Sequence, residues 1–231
     1  MIAPNEPTSE IEDQRCRPFL LLPREIDPHD LTGLLESVLE PLGTGGVLVR
    51  GSERLGEPQL SRLLLRCHGA GWALFVDQPG PQHAGSGIDG GLVPARPGAI
   101  DRVRSWLGEA AILLAEAGLS RHVAMSSGEE GADVILFGHL DGRDRREAAM
   151  AEGETLEDCI AWWQELFVLP SIACAPAPAD IEGLARAGAD FVALDREVWN
   201  EAGAAKAAAS ALAERFDAVN RERTAGLTEN R

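Results

Sequence analysis

Short unbroken apolar runs alternate along the chain with longer stretches in which leucine, isoleucine and valine return every three or four residues. The first kind of run is how a strand buried on both faces of a parallel sheet reads, and the second is one face of a helix. Phe19 to Leu22 is the first run, and Pro28 to Leu42 follows with Leu31, Leu34, Leu35, Val38 and Leu42 on a helical stripe. Gly45-Gly46 opens a second strand at Val47 to Val49, Glu57 to His68 carries Leu60, Leu63 and Leu64 at helical spacing, and Gly71 opens a third strand at Trp72 to Val76. Gln78 to Gly87 is too rich in Gly and Pro for a regular helix, so a loop or single turn precedes the fourth strand at Asp89 to Val93. Ile100 to Leu107 then reads as a helix and Ala110 to Leu114 as a fifth strand, although Ile100 to Gly118 also reads as one helix kinked at Gly108.

The second half of the chain repeats a phrase. Gly131-Ala132-Asp133 launches the apolar run Val134 to Phe137, and Gly188-Ala189-Asp190 launches Phe191 to Leu194; a weaker copy is Gly87-Ile88-Asp89 before the fourth strand. These are the sixth and eighth strands, with Thr155 to Phe167 as a helix, Ser171 to Cys174 as the seventh strand, Ala179 to Ala187 as a helix and the alanine-rich Ala204 to Val219 as the last helix. Eight strands, each followed by a helix or its remnant, in close to the roughly 250 residues such a fold takes, predict a single α/β domain closed as a (β/α)8 TIM barrel. A doubly wound sheet is the alternative. The barrel is placed over residues 17–221, between polar tails at 1–16 and 222–231.

Composition narrows the partners. The 231 residues carry 21 basic and 37 acidic side chains, a formal charge of -16, which repels a phosphate backbone and excludes nucleic acid and anionic membrane as main partners. Cys16, Cys67, Cys159 and Cys174 have neither CxxC nor CxxH spacing, so no zinc site or disulfide framework is expected. With no apolar span and no apolar signal region near Met1, the expected compartment is the cytoplasm. A small-molecule ligand and a homo-oligomer both remain open. In the helix from Thr155, Trp162-Trp163 should place one ring on the sheet and leave its neighbour partly exposed, a candidate subunit contact.

The order of landmarks resembles a known family. A first strand ending in Leu22-Pro23, a second ending in Arg50, a third ending in Asp77, Asp89-Gly90 at the fourth, Gly131-Ala132-Asp133 with Phe137-Gly138 at the sixth and Ala187-Gly188-Ala189-Asp190 at the eighth are similar to thiamine phosphate synthase and its TenI-like relatives, over roughly Phe19 to Val198. The resemblance implies a barrel that joins a pyrimidine diphosphate to a thiazole phosphate with magnesium, using residues at the strand C-termini. Motif by motif, little of that chemistry carries over. The family's Gln-x-Arg-x-Lys reads Leu48-Val49-Arg50-Gly51-Ser52, its Asn-Asp-Arg reads Val76-Asp77-Gln78, and its His-Leu-Gly-Gln-x-Asp falls on Leu92 to Pro97. Its Thr-x-Thr-Lys is replaced by the stretch from Asp141 to Arg146. Where backbone N–H groups should cradle phosphate after the seventh and eighth strands, the chain has Cys174-Ala175-Pro176-Ala177-Pro178 and Asp195-Arg196-Glu197; proline donates nothing and the carboxylates repel a dianion.

The residues that remain to carry a site are few. Arg50, Gly138, His139 and Arg143 are the substrate-binding candidates, and Asp77 is the one surviving metal carboxylate. His139, directly after Phe137-Gly138, stands where a general acid or base is useful and is the catalytic candidate. Each has a plainer reading: Arg50 as a salt-bridge partner, His139 as a hydrogen-bonded loop residue, and Asp77 as a lone carboxylate too poor in oxygen ligands to hold magnesium by itself. Ser120-Arg121-His122 could cap a helix and Ser126-Ser127-Gly128 reads as a turn, while Gly43-Thr44-Gly45-Gly46 precedes a strand and is a turn, not a nucleotide loop. The expectation is a catalytically degenerate member of the family that binds a small molecule or a protein partner, with no cofactor assigned. The alternative is an active transferase that retains Mg2+ and rebuilds an anion site from Arg50, Asp77, His139 and Arg143 to Arg146.

Overall fold

The computed structural model describes residues 15–22, 28–94, 96–140, 155–175, 177–195, 199 and 202–229. Eight parallel strands, β1 (Arg17–Leu22), β2 (Gly46–Val49), β3 (Ala73–Val76), β4 (Gly90–Val93), β5 (Ile112–Gly118), β6 (Val134–Phe137), β7 (Ser171–Cys174) and β8 (Phe191–Leu194), form one closed barrel in chain order. The barrel closes where β1 pairs with β8, from Arg17 opposite Phe191 to Leu20 opposite Leu194. Seven helices among the described residues surround it: α1 (Pro28–Leu42), α2 (Glu57–Gly69), α3 (Ala99–Leu107), α4 (Arg121–Glu129), α5 (Leu156–Leu166), α6 (Ile181–Arg186) and α7 (Ala202–Glu229). The chain is thus a single (β/α)8 barrel, and none of its described helices is long and apolar enough to cross a membrane.

Two apolar layers explain why the strands read as continuous runs. Phe19 and Leu21 on β1, Leu48, Phe75, Leu92, Leu114, Leu136, Ile172 and Ala193 fill the barrel interior. Their neighbours Leu20, Leu22, Val47, Val49, Leu74, Val76, Ile135, Ala173, Val192 and Leu194 point outward into the layer under the helices. Alternate residues therefore face opposite ways, yet both faces are dry, which removes the polar alternation of a half-exposed sheet. Gly90 marks a place where the sheet admits no side chain: a Cβ there would lie 1.8 Å from the carbonyl oxygen of Ile112 on the paired strand.

The repeated aspartate acts at the opposite end of the barrel from the strand C-termini. Asp89, just before β4, accepts the backbone N–H of Leu74 at 2.7 Å. Asp133, before β6, accepts Leu113 N–H at 2.8 Å, and Asp190, before β8, accepts Ser171 N–H at 2.8 Å. Each carboxylate thus satisfies a donor at the start of the preceding strand, where barrel pairing leaves one over. Asp133 also binds Arg104 Nη2 at 2.8 Å, and Asp89 meets His68 Nε2 at 2.8 Å. Burial pushes the Asp190 carboxyl above the usual carboxylate range, although its bonds from Ser171 oppose the shift. Because Leu113 is fully buried, Asp133→Ala should strand its N–H and cost about 1–3 kcal/mol in urea unfolding; an unchanged midpoint would refute the capping role.

Three sequence expectations change. The fifth strand lies at Ile112–Gly118, later than Ala110 to Leu114, because Glu116 and the small Ala115 and Ala117 interrupt the apolar signal; a single kinked helix is excluded. Ser126 to Gly128 belong to a helix, not a turn. In α4, Ser120 Oγ caps Val123 N–H at 3.3 Å, and the buried face is Ala124 and Ser127, too weak to register as periodicity. The body also reaches further at both ends than 17–221. Cys16 is buried and exchanges two hydrogen bonds with Asn220, 2.8 and 2.9 Å long, while α7 continues to Glu229, held by an ion pair from Arg186 to Glu222 and a bond from Arg223 to Ala189 O.

The tryptophan pair divides its work. Trp163 is 1% exposed, donates its indole N–H to Leu169 O at 2.7 Å, stacks on Phe167 at 4.1 Å between centroids and meets Phe137 edge-on at 5.6 Å. Trp162 is partly buried, with the Arg121 guanidinium 4.8 Å above its ring. All four cysteines are free and buried, and burial pushes the Cys16 and Cys67 thiols up to about 12, which leaves those two unreactive at neutral pH.

Candidate functional site at the strand C-termini

In a parallel barrel the segments that leave the strands converge on one face, and polar groups there are the ones that meet a ligand. Arg50 leaves β2, Asp77 leaves β3, Gly138 and His139 leave β6, and Asp195 leaves β8. Arg143 and the basic stretch to Arg146 lie outside the described residues, as do Arg196 and Glu197.

Arg50 is the centre of the arrangement. Its side chain is 9% exposed and crosses the end of β1, donating Nε–H to Leu22 O at 2.9 Å. Beyond that strand the guanidinium fork meets the Asp195 carboxylate twice, through Nη2 to Oδ1 and through Nη1 to Oδ2 at 3.3 Å. Nη1 also donates to Leu140 O at 3.3 Å. Segments from four strands are therefore tied together by one side chain. The bidentate pairing is the geometry in which arginine holds carboxylate and phosphate alike, and the partner here belongs to the chain itself. Leu140 is buried with the interior cluster, so the first residues after β6, up to Leu140, pack onto the barrel interior, and the Leu140 N–H is accepted by Glu116 Oε1 at 3.3 Å.

Asp77 is committed to the neighbouring loop. One oxygen accepts Gly51 N–H at 2.7 Å; the other accepts Ser52 N–H at 3.2 Å and Ser52 Oγ–H at 3.0 Å. Gly51 stands at φ 72°, a left-handed turn that presents successive N–H groups to one carboxylate, followed by a short 3₁₀ turn at Ser52–Arg54. Such a carboxylate organises backbone. A hard divalent cation needs several oxygen ligands, and among the described residues no group of three or more His, Cys, Asp or Glu is placed to hold a metal; Asp77, with both oxygens engaged by the β2 loop, does not by itself make a magnesium site.

Gly138 and His139 sit against β5. Gly138, at φ 85°, donates its N–H to Gly118 O at 2.8 Å, and a Cβ on it would come within 3.0 Å of Cys174 Cβ. Its backbone donor is spent within the barrel. The His139 ring lies over Gly118, whose added Cβ would be 3.0 Å from Cε1. The structure therefore brings Arg50 and the His139–Leu140 segment together through Leu140 O, and turns Asp77 toward the β2 loop.

Two groups at this face carry little or no sequence signal. Glu116 breaks an apolar strand, which was the only hint that it faces the interior. His83, buried in the 3₁₀ turn Pro81–His83, accepts Gly80 N–H on Nδ1 at 3.2 Å. Desolvation lowers its pKa, against an opposing pull from Asp77, which favours the neutral ring.

No family model matches the chain. A thiamine-phosphate synthase of Rhodospirillum centenum is 32% identical over 202 residues, covering 84% of this chain and 95% of that protein. A thiamine-phosphate synthase of Erythrobacter litoralis is 36% identical over 123 residues, 53% of this chain and 56% of that protein. Among solved structures, a thiamine phosphate pyrophosphorylase from Pyrococcus furiosus superposes with a TM-score of 0.68 at 14% identity, covering 90% of this chain and 98% of that one.

Proposed function

Because the chain belongs to the thiamine-phosphate synthase family, we propose that it keeps the family's barrel as a binding scaffold, for a small molecule or a protein partner, without the transferase turnover. The observation that carries this reading is the pairing of Arg50 with Asp195. An incoming diphosphate would have to displace a carboxylate already bonded to both arms of the guanidinium, and would then face that carboxylate as a neighbouring negative charge. At an effective dielectric of about 20 and a separation of 4 Å, one such like-charge contact costs about 4 kcal/mol. Asp77 supports the same reading, since both its oxygens are bonded to the β2 loop.

What the residues at the mouth do under this reading is structural and selective. Arg50 ties the ends of β1, β2 and β8 to the segment after β6, Asp77 holds the left-handed turn at Gly51, and the buried Leu140 shields the interior from water. None of these groups is left poised to stabilise a departing diphosphate.

Incubation of the purified protein with the phosphorylated pyrimidine and thiazole precursors and magnesium should yield no thiamine phosphate above a control without enzyme. Product above that control overturns the proposal. Loss of such product in Arg50→Ala would then locate turnover at the mouth and favour an active transferase.

A further inference from the structure

The geometry points to Asp195 as a tethered anion: we propose that Arg50 forms an oxyanion site which the chain fills with its own carboxylate, and that Asp195 is the residue that closes this site to external oxyanions. The inference rests on the binding-scaffold reading above and adds the ligand class and the residue that decides it.

Three features make the site a built one. The Arg50 side chain is 9% exposed, so it is largely held out of bulk water. Its orientation is set independently of Asp195 by Leu22 O and Leu140 O, which accept from Nε and Nη1. The two arms left to face outward from that clamp are the ones that Asp195 occupies, Nη2 on Oδ1 and Nη1 on Oδ2. A fork fixed by backbone carbonyls and aimed at a carboxylate is a preorganised receptor for any small planar oxyanion. The Asp195 side chain consists of the same heavy atoms as an acetate ion, so Asp195→Gly vacates an acetate-sized volume in front of the fork.

Thermal unfolding of the full-length protein in sodium acetate, against sodium chloride of equal ionic strength, tests this. Asp195→Gly should melt below the wild type, and acetate at about ten times its Kd should raise the variant's Tm by roughly 3–6 °C. The wild type and Arg50→Met/Asp195→Gly should show no acetate-specific shift. An equal rise in the double variant, or no rise in Asp195→Gly, overturns the proposal. Should Asp195→Gly not fold in chloride, recovery of folded protein on refolding in acetate reads the same property, and failure in both salts overturns it. A Tm shift of the wild type in inorganic phosphate or diphosphate that Arg50→Met abolishes would also overturn it, because the site would then be open. Turnover by the wild type in the synthase assay removes the reading underneath, whereas a silent wild type with no acetate effect on the variant removes this inference alone.

Discussion

Arg50→Met should lower the unfolding free energy by about 2–3 kcal/mol, somewhat less than the loss seen when one partner of a fully buried ion pair is removed, because the pair is part-buried. Methionine replaces most of the arginine stem, so the loss comes from the head group. Asp195, 18% exposed, would keep its charge without a cation, and the carbonyls of Leu22 and Leu140 would lose their donors. The effect should be strongly non-additive. In Arg50→Met/Asp195→Leu both charges are gone and the space is apolar, so most of the lost stability should return, as it does when buried pairs are replaced by hydrophobic side chains. Urea unfolding followed by tryptophan fluorescence measures all three variants. A single-variant loss below about 1 kcal/mol would place the pair in the class of solvent-screened surface bridges, and the mouth could not then be regarded as closed by it.

Trp163→Ala should be at least as damaging, with a loss of about 3–5 kcal/mol from the cavity it leaves. The ring is 1% exposed and sits between Phe137 of β6 and Phe167 beyond α5, and its indole N–H satisfies Leu169 O. Trp163→Phe should cost less, since it keeps an aromatic body and loses chiefly the hydrogen bond, a difference of about 1 kcal/mol. Trp162→Ala is the comparison: that ring is only partly buried, meets Phe167 edge-on at 5.4 Å and lies under the Arg121 guanidinium, contacts worth about 0.5–1.5 kcal/mol each at most. Denaturant midpoints should therefore rank Trp162→Ala well above Trp163→Ala, and the reverse order would overturn the assignment of Trp163 to the strand–helix core.

The readable and unreadable parts of this chain differ in range. β6 and β8 were legible because each is a dry strand announced by its own Gly-Ala-Asp turn; what the aspartates do was not, because Asp133 serves Leu113 and Asp190 serves Ser171, donors on the neighbouring strand. Helix α4 is signalled only by its cap at Ser120; its body reads as a turn because its buried face is Ala124 and Ser127, residues that take a helical place only when the sheet supplies the apolar surface. The tail expected from residue 222 was read from polarity alone, whereas Glu222 and Arg223 are anchored on Arg186 and Ala189. At the mouth, the sequence placed Arg50 and Asp77 at strand ends and allowed that Arg50 was a salt-bridge partner, but the partner is 145 positions away.

By itself, then, the order of apolar runs, helical stripes and glycine turns determined an α/β chain of alternating strands and helices with a closed barrel as its first reading, and the surviving landmarks pointed to its family; closure itself came from the pairing of β1 with β8. Runs, stripes and turns are local signals, each written within a few consecutive residues, and they add along the chain. Only the tertiary structure decided what the site residues do. Closure of β8 onto β1 sets Asp195 across the end of β1 from Arg50, and the turn at Gly51 delivers its N–H groups to Asp77. A charge at a strand end binds whatever the fold brings nearest, and in this barrel that is the chain's own carboxylate and backbone.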